Sequence, residues 1–137
     1  MSEDLVKVVL DTNIYAAAFA TRGLCCDVYE TCLSNHSIVI GMEILKEIRK
    51  VFSKKLKMPD EIIDRIIELI KSSCEIVIPA VIEKRVCRDH TDLHVIGTAV
   101  AGRVDCLVTG DSDLLTLHKY KWIEILSPRE FWDRLSG

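Results

Sequence analysis

Several absences in this sequence exclude whole classes of function. No apolar run approaches the ~18 residues that a membrane-spanning helix needs. No two cysteines stand as C-x-x-C, which argues against a zinc site of familiar spacing. Six cysteines (Cys25, Cys26, Cys32, Cys74, Cys87 and Cys106) are also too few for a disulfide scaffold in 137 residues. There is no glycine-rich phosphate loop of the nucleotide-binding kind. The two Trp, three Tyr and three Phe form no base-stacking ladder. A net charge of −3 gives no overall basic field, so any surface for nucleic acid must be local. The N-terminus, MSEDLVKVVLD, meets an acid too soon for a signal peptide. The expected location is therefore cytoplasmic.

What is present is an ordinary globular composition, 49% apolar and 28% charged. At this length a single domain spanning residues 1–137 is expected, with no linker, repeat or low-complexity tract. Short apolar runs (5–10, 37–40, 74–79, 104–109 and 122–126) alternate with helical patterns. Three of the runs are unbroken, as in strands covered on both faces. Ile44, Leu45, Ile48, Val51 and Phe52 repeat at helical spacing, as do Ile62, Ile63, Ile66, Ile67 and Ile70, and then Leu93, Ile96, Ala99 and Val100. Ser127-Pro128-Arg129-Glu130 reads as a capping box ahead of a last helix. This alternation predicts an α/β fold of three layers, α/β/α, with a central parallel sheet of about five strands. Cys74 and Cys106 read as small core residues.

In open α/β sheets, sites form beyond the carboxyl ends of the strands. Asp11 follows the first run directly, in Val8-Val9-Leu10-Asp11-Thr12-Asn13. Asp111 follows the fourth, in Val108-Thr109-Gly110-Asp111. Asp92 falls in the first turn of the helix after the third, and shares a face with Ile96 and Ala99. Asp89 reads as that helix's cap. On the helix after the second run, Glu47 lies roughly 100° from the centre of the apolar stripe and Glu43 roughly 140°. Glu47 can therefore lean inward, whereas Glu43 is solvated. Taken singly, such acids are usually turn residues or helix caps, and Thr12 and Asn13 would do the same work. Their joint placement points further. Four carboxylates in one cleft repel one another unless a cation is present. Oxygen ligands select a hard divalent ion, Mg²⁺ or Mn²⁺, which suits phosphodiester hydrolysis.

From about residue 6 to residue 132 the sequence resembles the PIN-domain nucleases, especially the single-domain toxins of toxin–antitoxin pairs. The resemblance rests on Val8–Asn13, on Glu47 within Ile44-Leu45-Lys46-Glu47-Ile48, on Asp92 ahead of a helix, on Leu107–Leu115 and on Ser127–Phe131. It implies a metal-dependent ribonuclease with Asp11, Glu47, Asp92 and Asp111 as catalytic, metal-binding acids. Asn13 and Thr109 would support them, and Asp113 would be a fifth acid. The implied partners are an RNA substrate and an antitoxin protein, with a homodimer as the expected assembly and no membrane. One departure is Gly41-Met42, where the family often carries serine.

Lys46, Arg49, Lys50, Lys54, Lys55 and Lys57 form a basic stretch, read either as a solvated helix face or as a rim that tracks phosphates. Lys84, Arg85 and Arg88 offer a second rim. His90 and His94 stand four apart, as zinc ligands can, but no third soft ligand is evident. Three rivals to the nuclease remain. An aspartyl phosphotransferase would need a second acid where Asn13 stands. A receiver-type switch would need an acid at the tip of the third strand. A PIN-like domain that only binds RNA or a partner would have no use for intact acids.

Overall fold

The computed structural model describes residues 5–136, so the N-terminal acids Glu3 and Asp4, and Gly137, lie outside the described residues. Strand β1 (Lys7–Leu10) runs through the middle of the molecule, with Val8, Val9 and Leu10 wholly buried. Two helices follow it, α1 (Thr12–Ala20) and α2 (Leu24–Asn35), before β2 (Ser37–Gly41). Next come α3 (Met42–Lys54), α4 (Asp60–Ser73) and β3 (Glu75–Val77). Single turns of 3-10 helix at Lys84–Val86 and His90–Asp92 lead into α5 (Leu93–Ala101). The chain ends with β4 (Cys106–Val108), α6 (Ser112–Leu115), β5 (Lys119–Tyr120), β6 (Ile123–Leu126) and α7 (Pro128–Ser136).

The sheet order is β3-β2-β1-β4-β6-β5. Five strands are parallel, and β5 pairs antiparallel with β6. The sheet thus has six strands rather than about five. The extra strand is two residues of a hairpin whose tip, Lys121-Trp122, places Lys121 at φ 54°. Nothing in so short a polar segment signals a strand. The other runs shorten to Cys106–Val108, Ile123–Leu126 and Glu75–Val77.

Helix α3 buries Ile44, Leu45, Ile48 and Phe52 along one stripe, and α4 buries Ile63, Ile67 and Ile70. Ile62 is 40% exposed and lies off that stripe. In α7 the capping box forms reciprocally. Glu130 N donates to Ser127 Oγ at 3.1 Å, and Ser127 N donates to Glu130 Oε1 at 2.9 Å. The departure at Gly41 has a steric cause: a Cβ there would collide with Thr98 Oγ1, so a serine has no room.

Candidate active site

The site lies where β1 and β4 end side by side. Asp11 N donates to Val108 O at 3.0 Å, extending the parallel ladder by one bond past the strand. That bond fixes Asp11 beside the Thr109–Asp111 turn. Asp11 is also the N-cap of α1, and its Oδ1 accepts from Thr12 N at 2.7 Å. Its Oδ2 accepts from Thr109 Oγ1 at 2.8 Å, and that same hydroxyl accepts from Asp111 N at 3.0 Å. Thr109, wholly buried, therefore ties the two strand-tip acids together.

Thr12 turns away from capping. Its hydroxyl donates to Glu47 Oε1 at 2.6 Å, and Glu47 Oε2 lies 2.9 Å from His94 Nε2 on α5. Glu43 instead faces solvent and pairs with Lys46 at 3.4 Å. Asp92 closes the 3-10 turn and stands at the N-terminus of α5 without a side-chain bond to it, one step before the helical turn in which the sequence placed it. Asp89 caps that 3-10 turn, accepting from Thr91 N at 3.0 Å and from Thr91 Oγ1 at 2.7 Å. Asp111 caps α6, with Asp113 N donating to its Oδ1 at 3.3 Å. Asp11, Asp92 and Asp111 thus all sit at helix N-termini, where the backbone's partial positive charge favours an anion.

A cleft of about 470 Å³ is lined by Asp11, Glu47, Asp92 and Asp111, together with Asp89, Thr12 and the exposed Asn13. Lys50, Lys54 and Lys55 form its α3 wall. The basic stretch is therefore divided. Lys46 is tied to Glu43, and Arg49 to Asp64 at 2.7 Å, while Lys50, Lys54 and Lys55 face the acids. Arg88 is exposed and does not line the cleft.

One trio of carboxylates close enough to share an ion differs from the predicted four. Oxygens of Asp89, Asp92 and Asp113 lie within 4.8 Å of one another. Only Asp92 belongs to both sets. Glu47 lines the cleft but is held apart from that trio by Thr12 and His94, as Asp11 is by Thr109.

These contacts set the protonation of each acid. Burial pushes Asp11 up, against the lowering effect of hydrogen bonds from Thr109 and Thr12, and the net shift is upward. Burial also pushes Glu47 up, but hydrogen bonds from His94 and Thr12 outweigh it, and the carboxyl ends below its usual range. Asp92 is raised to about 8, first by burial and then by the carboxylate of Asp111 beside it. Burial lowers His94, while the bond and charge of Glu47 raise it more. Asp92 Oδ2 and Asp111 Oδ2 are both buried without a donor. A proton on Asp92 relieves part of this repulsion, and a divalent cation would relieve it without a proton. The oxygen-only donor set and the two orphaned oxygens fit such an ion.

Thr12 and His94 are the contacts that sequence reasoning missed. The sequence offers His94 only as half of a zinc pair with His90, yet His90 is exposed and His94 gives its Nε2 to Glu47. All six cysteines are free. No helix among the described residues is long and apolar enough to cross a membrane.

The family model described as "PIN domain" matches residues 7–113. No curated protein sequence matches the chain. Among solved structures, the chain resembles that of VapBC2 from Rickettsia felis bound to a DNA fragment from their promoter. That match has a TM-score of 0.62 and 18% identity, and covers 88% of this chain and 98% of the other. It also resembles PAE2754 from Pyrobaculum aerophilum, with a TM-score of 0.60 and 16% identity, over 99% of this chain and 98% of the other.

Proposed function

Since the chain belongs to the PIN-domain family, whose members are generally nucleases, we propose that it is a Mg²⁺- or Mn²⁺-dependent ribonuclease and the toxin of a toxin–antitoxin pair. The observation that carries the reading is the acid cleft. Asp11, Glu47, Asp92 and Asp111 from four chain segments line it, and Asp92 and Asp111 each keep a buried oxygen with no partner.

Asp11, Asp92 and Asp111 would hold the ion, with Glu47 beside them and Asp89 and Asp113 on the flank of Asp92. A bound divalent ion supplies positive charge for the phosphate oxygens and lowers the pKa of an attacking water. Thr109 keeps Asp11 and Asp111 in fixed relation, and so orders the acids in advance of binding. Asn13, at the mouth of the cleft, is placed to hydrogen-bond a water or a phosphate oxygen. Lys50, Lys54 and Lys55 give the substrate backbone a basic wall beside the acids, which suits a polyanion and reads no bases. RNA as the substrate follows from the family resemblance. An antitoxin as partner follows from the same resemblance. The homodimer and the cytoplasmic location belong to the same reading.

The rival readings fit less well. An aspartyl phosphotransferase lacks its second acid, because Asn13 stands there. A receiver lacks an acid at the tip of β3, where Ile78-Pro79-Ala80 follows. Calorimetric titration with Mn²⁺ tests the proposal: wild type should bind, and Asp11→Asn, Asp92→Asn and Asp111→Asn should each bind more weakly. Three variants with wild-type affinity would mean that the ion, and with it the chemistry, lies elsewhere.

A further inference from the structure

Glu47 is held by side chains from two other helices, Thr12 of α1 at Oε1 and His94 of α5 at Oε2. It also has a rival partner. Lys50 stands three residues further along α3 and lines the same cleft, and a Glu–Lys pair at that spacing closes readily on a helix surface. Among the described residues, however, Lys50 takes part in no ion pair.

The His94 ring explains why. Its side chain is only 19% exposed, and its Nδ1 is buried with no hydrogen-bond partner. An unpaired buried ring nitrogen is unfavourable, and an apolar side chain of similar size would avoid it. In return the imidazole offers one thing that an apolar side chain cannot, an Nε2–H aimed at Glu47. The ring is seated by α5, whose turn is closed by Thr98 Oγ1 donating to His94 O at 2.7 Å.

We infer that His94 is a positioning residue, which holds the Glu47 carboxylate over the cleft and off Lys50. Glu47 is thereby kept for the cation and Lys50 for a phosphate. The inference rests on the reading of the cleft as a metal-dependent nuclease site, and it adds how the acid wall and the basic wall of α3 are kept from neutralising each other. Glu47 and Lys50 stand within a single turn of one helix, so some third group must keep them apart.

The test is Mn²⁺ affinity by calorimetry on folded variants. His94→Ala should weaken binding by roughly 10- to 100-fold, as losing the partner behind a ligand does. His94→Gln, whose amide N–H reaches to about where Nε2 lies, should recover most of that loss. Lys50→Met should raise affinity more in the His94→Ala background than in wild type, because the competing partner is gone. On the wild-type protein, nitrogen NMR of the ring should show the proton on Nε2. That signal should move with Glu47→Gln and stay with Glu43→Gln; a ring that ignores Glu47→Gln overturns the inference even if His94→Ala does not fold. His94→Gln binding as weakly as His94→Ala, or no coupling to Lys50, would make the ring a mere tie between α3 and α5 and overturn the inference. Wild type that takes up no Mn²⁺ contradicts the reading of the cleft itself, whereas His94→Ala binding like wild type contradicts this inference alone.

Discussion

Thr12 Oγ1 donates to Glu47 Oε1 across 2.6 Å, linking the first turn of α1 to the second turn of α3. The residue after the strand-tip acid Asp11 thus holds the acid from the neighbouring helix, and two catalytic candidates far apart in the chain become one unit. Thr12→Val keeps the shape and deletes the donor. Turnover on RNA should fall about tenfold, equivalent to ~1.4 kcal/mol of barrier. Glu47→Gln should lose at least as much, while Glu43→Gln, exposed and paired only with Lys46, should behave like wild type. Equal losses at Glu43 and Glu47 would contradict the assignment of the inward face of α3.

Asp92 makes stability depend on pH. Its carboxyl titrates at about 8 in the fold against 3.8 in the unfolded chain, raised by burial and by Asp111. Between those values the folded metal-free protein keeps a proton that the unfolded chain has released. Stability must therefore fall as pH rises through that window, and level off above it. In EDTA, Asp92→Asn should melt higher than wild type at pH 8, and the two should converge toward pH 4. Adding Mn²⁺ should stabilise wild type most at the alkaline end, because less proton has to be displaced there. A lower melting temperature for Asp92→Asn at pH 8 in EDTA would show that Asp92 is not repelled in the apo cleft.

Only the lysines that face the acids should matter for RNA. Removing the charges of Lys50, Lys54 and Lys55 should weaken RNA binding on every sequence, and should flatten the salt dependence by about 0.7 for each phosphate left without its lysine. Removing Lys46 and Arg49 should do neither, since neither lines the cleft and each points to an exposed acid instead. Fluorescence anisotropy in EDTA at several salt concentrations separates the two sets. If Lys46 and Arg49 contribute as much as Lys50, the strand does not run along the α3 wall.

The parts of this molecule that were legible in its sequence are those with a local cause. The buried strands show as runs such as Val8-Val9-Leu10, and α3 and α4 show as apolar stripes, because burial leaves a periodic trace. The capping box at Ser127 is readable because its partners lie three residues apart. Helix α1 left no stripe, since Thr12–Ala20 is apolar almost throughout, and α2 buries only the short set Val28, Tyr29 and Cys32 among polar neighbours. Strand β5 rests on two residues and a backbone turn at Lys121. The placement of Glu47 inward and Glu43 outward followed from helix angle alone. Its partners did not, because Thr12 and His94 reach it from 35 and 47 positions away, and no spacing rule spans such distances. The division of the basic stretch was hidden for the same reason: Arg49 is taken by Asp64 on another helix.

The most direct measurement is incubation of the pure protein with mixed RNAs in Mn²⁺, in Mg²⁺ and in EDTA, with Asp92→Asn alongside and the product ends read by mass spectrometry. The account predicts cleavage with either ion and none in EDTA or with Asp92→Asn, leaving 5′ phosphates and 3′ hydroxyls. Cleavage that persists in EDTA, or products ending in 2′,3′-cyclic phosphate, would contradict it.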